Sequence, residues 1–490
     1  MLEKLKIRDT SRKKLIYTGV AILLAVILVA VNLLSGLLPW SVRSAPLAHD
    51  SVFTLSAPTK SELSTLNKDV TLYLVCDDGD ITYDRDLYAF LKNYESISSH
   101  ISVDVLDTET DADFLSSLGI DGTGNDISFL VKSETRYRIL PLADLFYYYS
   151  EEMQLKMSSP VYNATVSSYA ESGVDITPYF APYFNGEACI TNAIRYVAAP
   201  SVPVIAVIDS DNSLLTLDTS FEFELVQNGC DMRFLSSVTE LTDVHEILIY
   251  STPINDLSEA EAAHLSTWLA TGKNMMLTTY YNAFEKPRLA SILENYGMAA
   301  DERGVRITEN NQSFVFKDGS DVYQIPKIAQ HAATGSKFDG YVALSSAHAI
   351  YVTDDTLATP WLYTSDIAVR EKSENNTWTA IDEPSARYNY GVIGQKDGSR
   401  VIWISTPYAF DYYHNDMIAV GGNYKLLLSA LDWMASDSIT AIETQANEMS
   451  SSTLSFTTTP LVIWTAVLVV ILPLIFLSIG IIRRYVRRKA

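Results

Sequence analysis

The sequence predicts an α/β ectodomain held between two transmembrane helices, and three observations predict it. Uncharged apolar runs occupy 15–41 and 459–482 of the 490 residues. Between them, short runs rich in β-forming residues recur at 70–75, 101–105, 202–208, 246–250 and 274–278. Helical spacings and helix-start signals alternate with several of these runs, as in α/β domains.

The terminal runs come first. A hydrocarbon core of ~30 Å needs about 20 helical residues, and each run supplies that many without the polar stripe of a buried helix. Lys4, Lys6, Arg8, Arg12, Lys13 and Lys14 precede the first run, and Arg483, Arg484, Arg487, Arg488 and Lys489 follow the second. Only Arg43 is basic on the opposite flanks. By the positive-inside bias both termini are cytoplasmic, with Trp40 and Trp464 at the outer interface and Tyr17 and Tyr485 at the inner one. The expected order is a tail (1–14), helix 1 (15–40), helix 2 (459–482) and a basic tail (483–490), a two-pass cell-membrane protein. The small residues at 45–48 suggest a cleavage site, but the apolar run exceeds the roughly 7–15 residues of a signal peptide.

Charge narrows the partners. Of 36 basic and 59 acidic residues, 25 and 57 lie between the spans, near −32 for that region. Such a surface repels nucleic acid and anionic lipid and favours solubility. Cys76, Cys189 and Cys230 show no metal or dithiol spacing, and their disulfide state stays open.

After a linker, the region 44–140 opens on Ser56-Ala-Pro-Thr59, a helix start with Leu63 and Leu66 on one face. Strands at 70–75, 101–105, 127–131 and 137–140, with a helix near 83–94, make a β-α-β-β unit with a thioredoxin-like outline. Redox chemistry does not follow, because Cys76 stands without a second thiol. Residues 141–200 are a helical connection, ending in Phe184-Asn-Gly-Glu187 and the apolar stripe Ile190, Ile194, Val197.

A second α/β domain spans 201–435. Residues 202–208 and 246–250 read as strands buried on both faces of a parallel sheet. Ser258 and Glu261 form a capping box for a helix to about Thr271, and Gly272 ends it. Residues 274–278 and 400–405 are further strands and 423–435 a closing helix, a doubly wound arrangement. Residues 300–400 are β-rich and irregular, and 436–458 are a Ser/Thr-rich tether.

Few motifs carry chemistry. Thr271-Gly-Lys-Asn274 lacks the first glycine and the hydroxyl of a phosphate loop, which leaves a helix cap. No G-x-S-x-G elbow is present, Cys230 has no evident base, and the histidines lack metal-ligand spacing. No catalytic residue, cofactor or metal is therefore expected, and no enzyme. Asp209, Asp211 and Asn212 follow a buried strand where doubly wound folds keep ligands, though spaced loop acids are ordinarily just solvated. The tyrosines 147–149, 280–281 and 412–413 could stack on sugar rings or serve as core and rim. Ala21 and Ala25, with a kink at Pro473, are candidate helix-packing features in the bilayer.

Asp50, Leu55-Ser56 and Thr59 ahead of the strand at 70 resemble the opening of a known family. Phe184-Asn-Gly-Glu187, Asp256-Leu-Ser-Glu-Ala-Glu261 with Gly272, Gly422-Asn-Tyr-Lys425 with Leu431-Asp-Trp433, and the run from Pro473 through Gly480 follow in order. The chain thus resembles the extracytoplasmic auxiliary component of gliding-motility-type ABC transport systems. That resemblance implies a thioredoxin-like domain, then one similar to class I glutamine amidotransferases without their catalytic machinery. It also implies a separately encoded ABC permease and ATPase as partners, at the membrane and without nucleic acid. Members often carry Gly-His-Gly-Glu where this chain has Asp209-Ser-Asp-Asn212, so a ligand role there does not carry over. The function expected is a non-enzymatic, membrane-anchored auxiliary subunit contacting substrate or envelope. The alternative is an envelope- or glycan-binding surface module without a transporter.

Overall fold

The computed structural model describes residues 54–449 apart from 77–84, 120–127, 154, 209–212, 215–216, 282–284, 319–320, 337, 375–376 and 437–439. The chain falls into two units, and the described part of the smaller one is 54–55 and 85–99. Everything else described belongs to the larger unit.

The larger unit opens on α1 (Ala57–Ser64), with Pro58 in its first turn, where the missing N–H costs nothing. β1 (Val70–Cys76) follows. α2 (Arg85–Glu95) belongs to the smaller unit, where Phe90 meets Tyr94 edge-on at 5.5 Å and Lys92 pairs with Glu95 at 2.8 Å. In the larger unit β2 (Ile101–Asp107), α3 (Ala112–Ser117), β3 (Ser128–Lys132) and β4 (Tyr137–Pro141) come next. The sheet order is β2-β1-β3-β4, with β1 parallel to β2 and antiparallel to β3. Val75, Leu106, Leu115 and Leu130 close its core.

A small antiparallel sheet succeeds it. It contains β5 (Phe146–Ser150), β6 (Leu155–Ser158) and, after α4 (Ser159–Glu171), β7 (Ala181–Phe184). α5 (Gly186–Ala198) then runs almost wholly buried. Two of the family-like motifs meet on it. Ser56 N donates to Glu187 Oε1 at 2.6 Å, and the Thr59 and Thr191 hydroxyls lie 3.4 Å apart.

The main sheet begins with β8 (Val204–Ile208), α6 (Thr219–Gln227), β9 (Asp231–Leu235), β10 (Ile247–Tyr250), α7 (Glu259–Ala270), β11 (Asn274–Thr278) and α8 (Pro287–Glu294). The β-rich stretch adds β12 (Met298–Ala300), β13 (Val305–Thr308), β14 (Val315–Asp318), β15 (Asp321–Gln324), β16 (Lys327–Ile328), β17 (Ile350–Val352), β18 (Ala358–Tyr363), β19 (Val369–Glu374), β20 (Thr377–Ala380) and β21 (Asn389–Lys396). β22 (Ser399–Ile404), a π-helical turn at Tyr413–Ile418 and α9 (Gly422–Met434) complete it.

The order β12-β17-β21-β22-β11-β10-β8-β9 places five parallel strands, β22 to β9, beside an antiparallel flank. Alternation along each strand sends side chains to opposite faces. Ile205, Val207, Ile247, Ile249 and Met276 pack with Phe221 and Leu225 of α6 and Leu427 and Leu431 of α9. Ala206, Leu248, Met275 and Leu277 pack with Leu265 and Trp268 of α7 and Leu289 and Leu293 of α8. Both faces are covered, which is why these strands are apolar throughout.

The expected tether is tied down where it is described. Asn192 on α5 bonds Ile442 through both N and O, at 2.8 and 3.2 Å. β23 (Asn447–Glu448) then adds an edge strand to β7.

The expected fold of an ectodomain between two transmembrane helices is corrected. No helix among the described residues is long and apolar enough to cross a membrane. The longest have 13 residues, about 20 Å at 1.5 Å per residue, against a core of about 30 Å. The segments 15–40 and 459–482, with Ala21, Ala25 and Pro473, lie outside the described residues. What the structure shows is a mixed α/β architecture with many strands in large sheets, and the two-pass membrane localisation with cytoplasmic termini does not carry forward.

Gly421 and Gly422 show why α9 starts where it does. Gly421 sits at φ 81°, in the left-handed region. A Cβ on Gly422 would overlap the backbone carbonyl oxygen of Tyr341, which cannot swing aside as a side chain could. Gly422→Ala should lower the unfolding free energy by about 1–3 kcal/mol in a denaturant titration, whereas Gly340→Ala, where a Cβ meets only ordinary van der Waals contacts, should cost less.

Candidate functional site

Parallel strands in α/β sheets collect functional groups at their carboxyl ends. Here three neighbours end on hydroxyl pairs: Ser251-Thr252 after β10, Thr278-Thr279 closing β11, and Ser405-Thr406 after β22. Where the ladder stops, the last backbone groups need other partners. Thr252 N donates to both Thr278 O and Thr278 Oγ1 at 3.1 Å, and the two threonine hydroxyls are 2.9 Å apart.

The strand order reverses between β8 and β10, the usual crevice for a ligand. Asp209, Asp211 and Asn212 lie outside the described residues, so the structure does not place them. The adjoining chain is placed. Ser213 bridges Pro253, and Leu214 N donates to Thr252 O at 2.9 Å, so backbone crosses the end of β10. Thr252 adopts φ 38° there, a strained value for a β-branched residue. Asp218, further on, caps α6 through Ser220 N at 2.8 Å and also accepts from Tyr412 N at 3.1 Å.

A buried polar chain runs over β11 and β22. Trp403 Nε1 donates to Thr279 Oγ1 at 2.8 Å, and that hydroxyl lies 2.7 Å from His348 Nε2. His348 Nδ1 is 2.9 Å from Ala349 O, a carbonyl, so Nδ1 carries the proton and Nε2 accepts. Burial pushes the His348 imidazole down to about 4. It is a neutral core histidine. Near it, the buried Lys286 is pushed down to about 8 by burial, against the pull of Asp256. Asp256, part of a family-like motif, accepts from Arg288 N and Leu289 N at 3.1 Å and so caps α8.

A second chain lies above β22, on a segment held to the sheet edge. Thr406 Oγ1 donates to Ser345 O at 2.8 Å, and Asn423 bonds Ala343 N and O at 2.8 and 3.0 Å. Ser345 Oγ is 2.7 Å from His414 Nε2, and His414 Nδ1 is 2.7 Å from Asp411 Oδ2. Tyr408 stacks on the His414 ring at 4.9 Å, and Tyr323 meets it edge-on at 5.0 Å. Sequence reasoning missed this group. Its one local signal is the i, i+3 pair Asp411 and His414, since Ser345 lies 69 residues away from His414.

The other candidates resolve into structure. Tyr147 stacks on Tyr183 at 5.2 Å and Tyr148 on Tyr162 at 3.7 Å, so these rings face one another. Tyr280 and Tyr281 are 4.3 Å apart, and Tyr281 meets Trp378 at 5.2 Å. Asn274 opens β11, its side-chain amide donating to Met434 O at 2.8 Å and accepting from Arg400 N at 2.9 Å. Cys76, Cys189 and Cys230 are buried thiols outside any disulfide, and burial pushes the Cys230 thiol up to about 12. No metal-ligating cluster occurs among the described residues. A surface groove of about 300 Å³ lies elsewhere, lined by Glu62, Asn192, Arg195, Asn228 and Thr440.

No family model matches the chain, and no curated protein does. Solved structures similar to parts of it include the "mmIFT52 N-terminal domain", at 12% identity and TM-score 0.36, covering 48% of this chain and 98% of that one. A putative ThuA-like protein from Parabacteroides merdae is 12% identical at TM-score 0.29, covering 50% and 97%. The carbohydrate deacetylase Agd3 is 12% identical at TM-score 0.27, covering 42% and 29%.

His348 gives a pH test. Its folded value near 4 lies below the ordinary 6.5, so between the two the unfolded chain takes a proton that the folded chain refuses. Its contribution is full above pH 6.5 and is lost as pH falls toward 4, about 3 kcal/mol in all. In denaturant titrations from pH 4 to 7, His348→Gln should remove one proton's worth of slope relative to the parent protein. An unchanged slope would mean that His348 titrates normally.

Proposed function

We propose that this protein is an auxiliary subunit of an ABC-type transport or gliding-type complex, with the permease and ATPase as separate chains. Its α/β body contacts substrate or an envelope component, and this role requires no reaction of its own. The observation that carries the reading is where the family-like motifs fall. Ser56 and Thr59 meet Glu187 and Thr191 across more than 130 residues of sequence. Asp256 caps α8, and Asn423 ties α9 to the segment at 343. Each of these described motifs is a joint between elements, as suits a body that transmits contact. The glycan-binding alternative has less support, since Tyr147 spends a face on Tyr183 and Tyr148 on Tyr162.

The test is co-purification of the full tagged chain from its native cells after mild crosslinking. A multispan permease and an ATPase, identified by mass spectrometry, should come down in amounts comparable with the bait. A full chain that brings down neither would contradict the proposal.

A further inference from the structure

We propose that Ser345, His414 and Asp411 form a serine acyl-transfer site that hydrolyses carboxylic esters with apolar acyl groups. This activity goes beyond the subunit role and against the expectation that the chain carries no enzyme.

The geometry is that of hydroxyl, imidazole and carboxylate in series. Ser345 Oγ to His414 Nε2 and His414 Nδ1 to Asp411 Oδ2 are both 2.7 Å. Nucleophilic serines need a base within about 2.6–3.2 Å, itself oriented by a third group, and both conditions hold. Asp411 settles the tautomer. Burial pushes its carboxyl up, but the hydrogen bonds from His414 Nδ1 and N outweigh that and hold it below its ordinary value. An ionised Asp411 can only accept, so Nδ1 carries the proton and the Nε2 lone pair faces Ser345. Tyr408 and Tyr323 restrain the ring from two sides.

Two further features separate this chain from the closed Trp403–Thr279–His348 chain nearby. His348 is 1% exposed, whereas Ser345 is half-buried and in reach of solvent. Ser346, next in sequence, sits at φ 52°, a strained value of the kind that collects at functional sites. Its backbone N–H bonds no acceptor among the described residues. The N–H following a nucleophile is a common oxyanion donor, and this one is uncommitted among the described residues.

The chemistry balances with water as the co-reactant. Ser345 Oγ attacks the ester carbonyl carbon while its proton passes to His414 Nε2. The carbonyl reforms, the bond to the leaving alkoxide breaks, and Nε2 returns the proton to that oxygen, releasing an alcohol. Water then attacks the acyl-Ser345 carbonyl and gives a proton to Nε2. Collapse releases the carboxylic acid, and Nε2 reprotonates Ser345. The acyl class follows from the rim. Tyr323, against His414, also meets Phe316 at 6.3 Å and Tyr413 at 6.2 Å, and those two are 46% and 37% exposed. Met417, in the same turn as Tyr413 and His414, adds further exposed apolar surface. A greasy acyl chain would cover it.

The test uses the full chain, an alkyl fluorophosphonate and p-nitrophenyl butyrate. The expected result is a phosphonyl adduct on Ser345 by peptide mass spectrometry, absent after denaturation and absent in His414→Ala. Asp411→Asn, which favours the wrong tautomer, should cut butyrate turnover by roughly 10³–10⁴-fold while a cooperative melt is kept. A cooperatively folded parent protein with no adduct on Ser345 would overturn the proposal. So would turnover unchanged in Ser345→Ala. Either result would leave the three residues as a purely structural link between the segment at 345 and the turn at 411–418.

Discussion

A parallel sheet satisfies its own backbone only where neighbouring strands overlap, and the upper half of this molecule depends on what happens where they stop. β10, β11 and β22 end within a residue or two of one another, and each is followed by hydroxyl side chains in place of further strand. Thr252 N reaches back to Thr278, Thr279 N to Ile404 O at 3.1 Å, and Ser405 N to Tyr390 O at 2.8 Å. Buried backbone groups left unpaired would each cost about 1–3 kcal/mol, so this edge must be closed before anything can be built on it. The short side chains of Ser and Thr close it while leaving room above. The segment at 338–349 fills that room, pinned by Thr406, Asn423 and the Tyr341 hydroxyl, which donates to Ile418 O at 2.8 Å.

The flanking β-rich region is joined by charge. Arg370 on β19 donates to Asp301, after β12, at 2.5 Å and to Glu383 at 2.7 and 2.8 Å. Burial pushes Asp301 up despite that partner, so the pair sits in a poorly solvated place. Breaking one side of such a pair strands a charge, which makes it a strong constraint on position even when its net contribution to stability is small. In a chain this acidic, an arginine shared by two carboxylates also relieves local repulsion. Arg306 pairs with one carboxylate, Glu371, across β13 and β19, at 2.9 and 3.0 Å.

The parallel core was legible because burial on two faces writes itself into the sequence. Ile205 to Ile208 and Ile247 to Tyr250 are uninterrupted apolar runs, and each residue of those runs is buried. The Ser258–Glu261 capping box was equally plain, since both of its hydrogen bonds are local. The three-stranded sheet β13-β19-β20 was not. Val369–Glu374 reads Val-Arg-Glu-Lys-Ser-Glu because it faces ion pairs rather than a core, and no hydrophobic period marks it. The candidate site was illegible for a different reason. Ser345 stands in a segment without regular structure, and only the folded edge of β22 brings it to His414. The ties at 442 were not legible because they run to Asn192, a polar partner about 250 residues back, which composition cannot announce. The apolar runs at the ends, and the loop of Asp209, Asp211 and Asn212, fall outside what the structure describes.

If the closed sheet edge is what holds the segment at 338–349, hydrogen exchange should see it directly. Ala343 N is bonded to Asn423 Oδ1 and Leu344 N to Gln324 O at 2.9 Å, so both amides should exchange slowly in the parent protein. Asn423→Ala removes the side-chain acceptor and donor together, a loss of about 1–3 kcal/mol. Exchange across 342–349 should then quicken by roughly ten- to a hundredfold, with the amides of 247–250 unchanged. Equal acceleration in the central strands, or none at 342–349, would contradict the account.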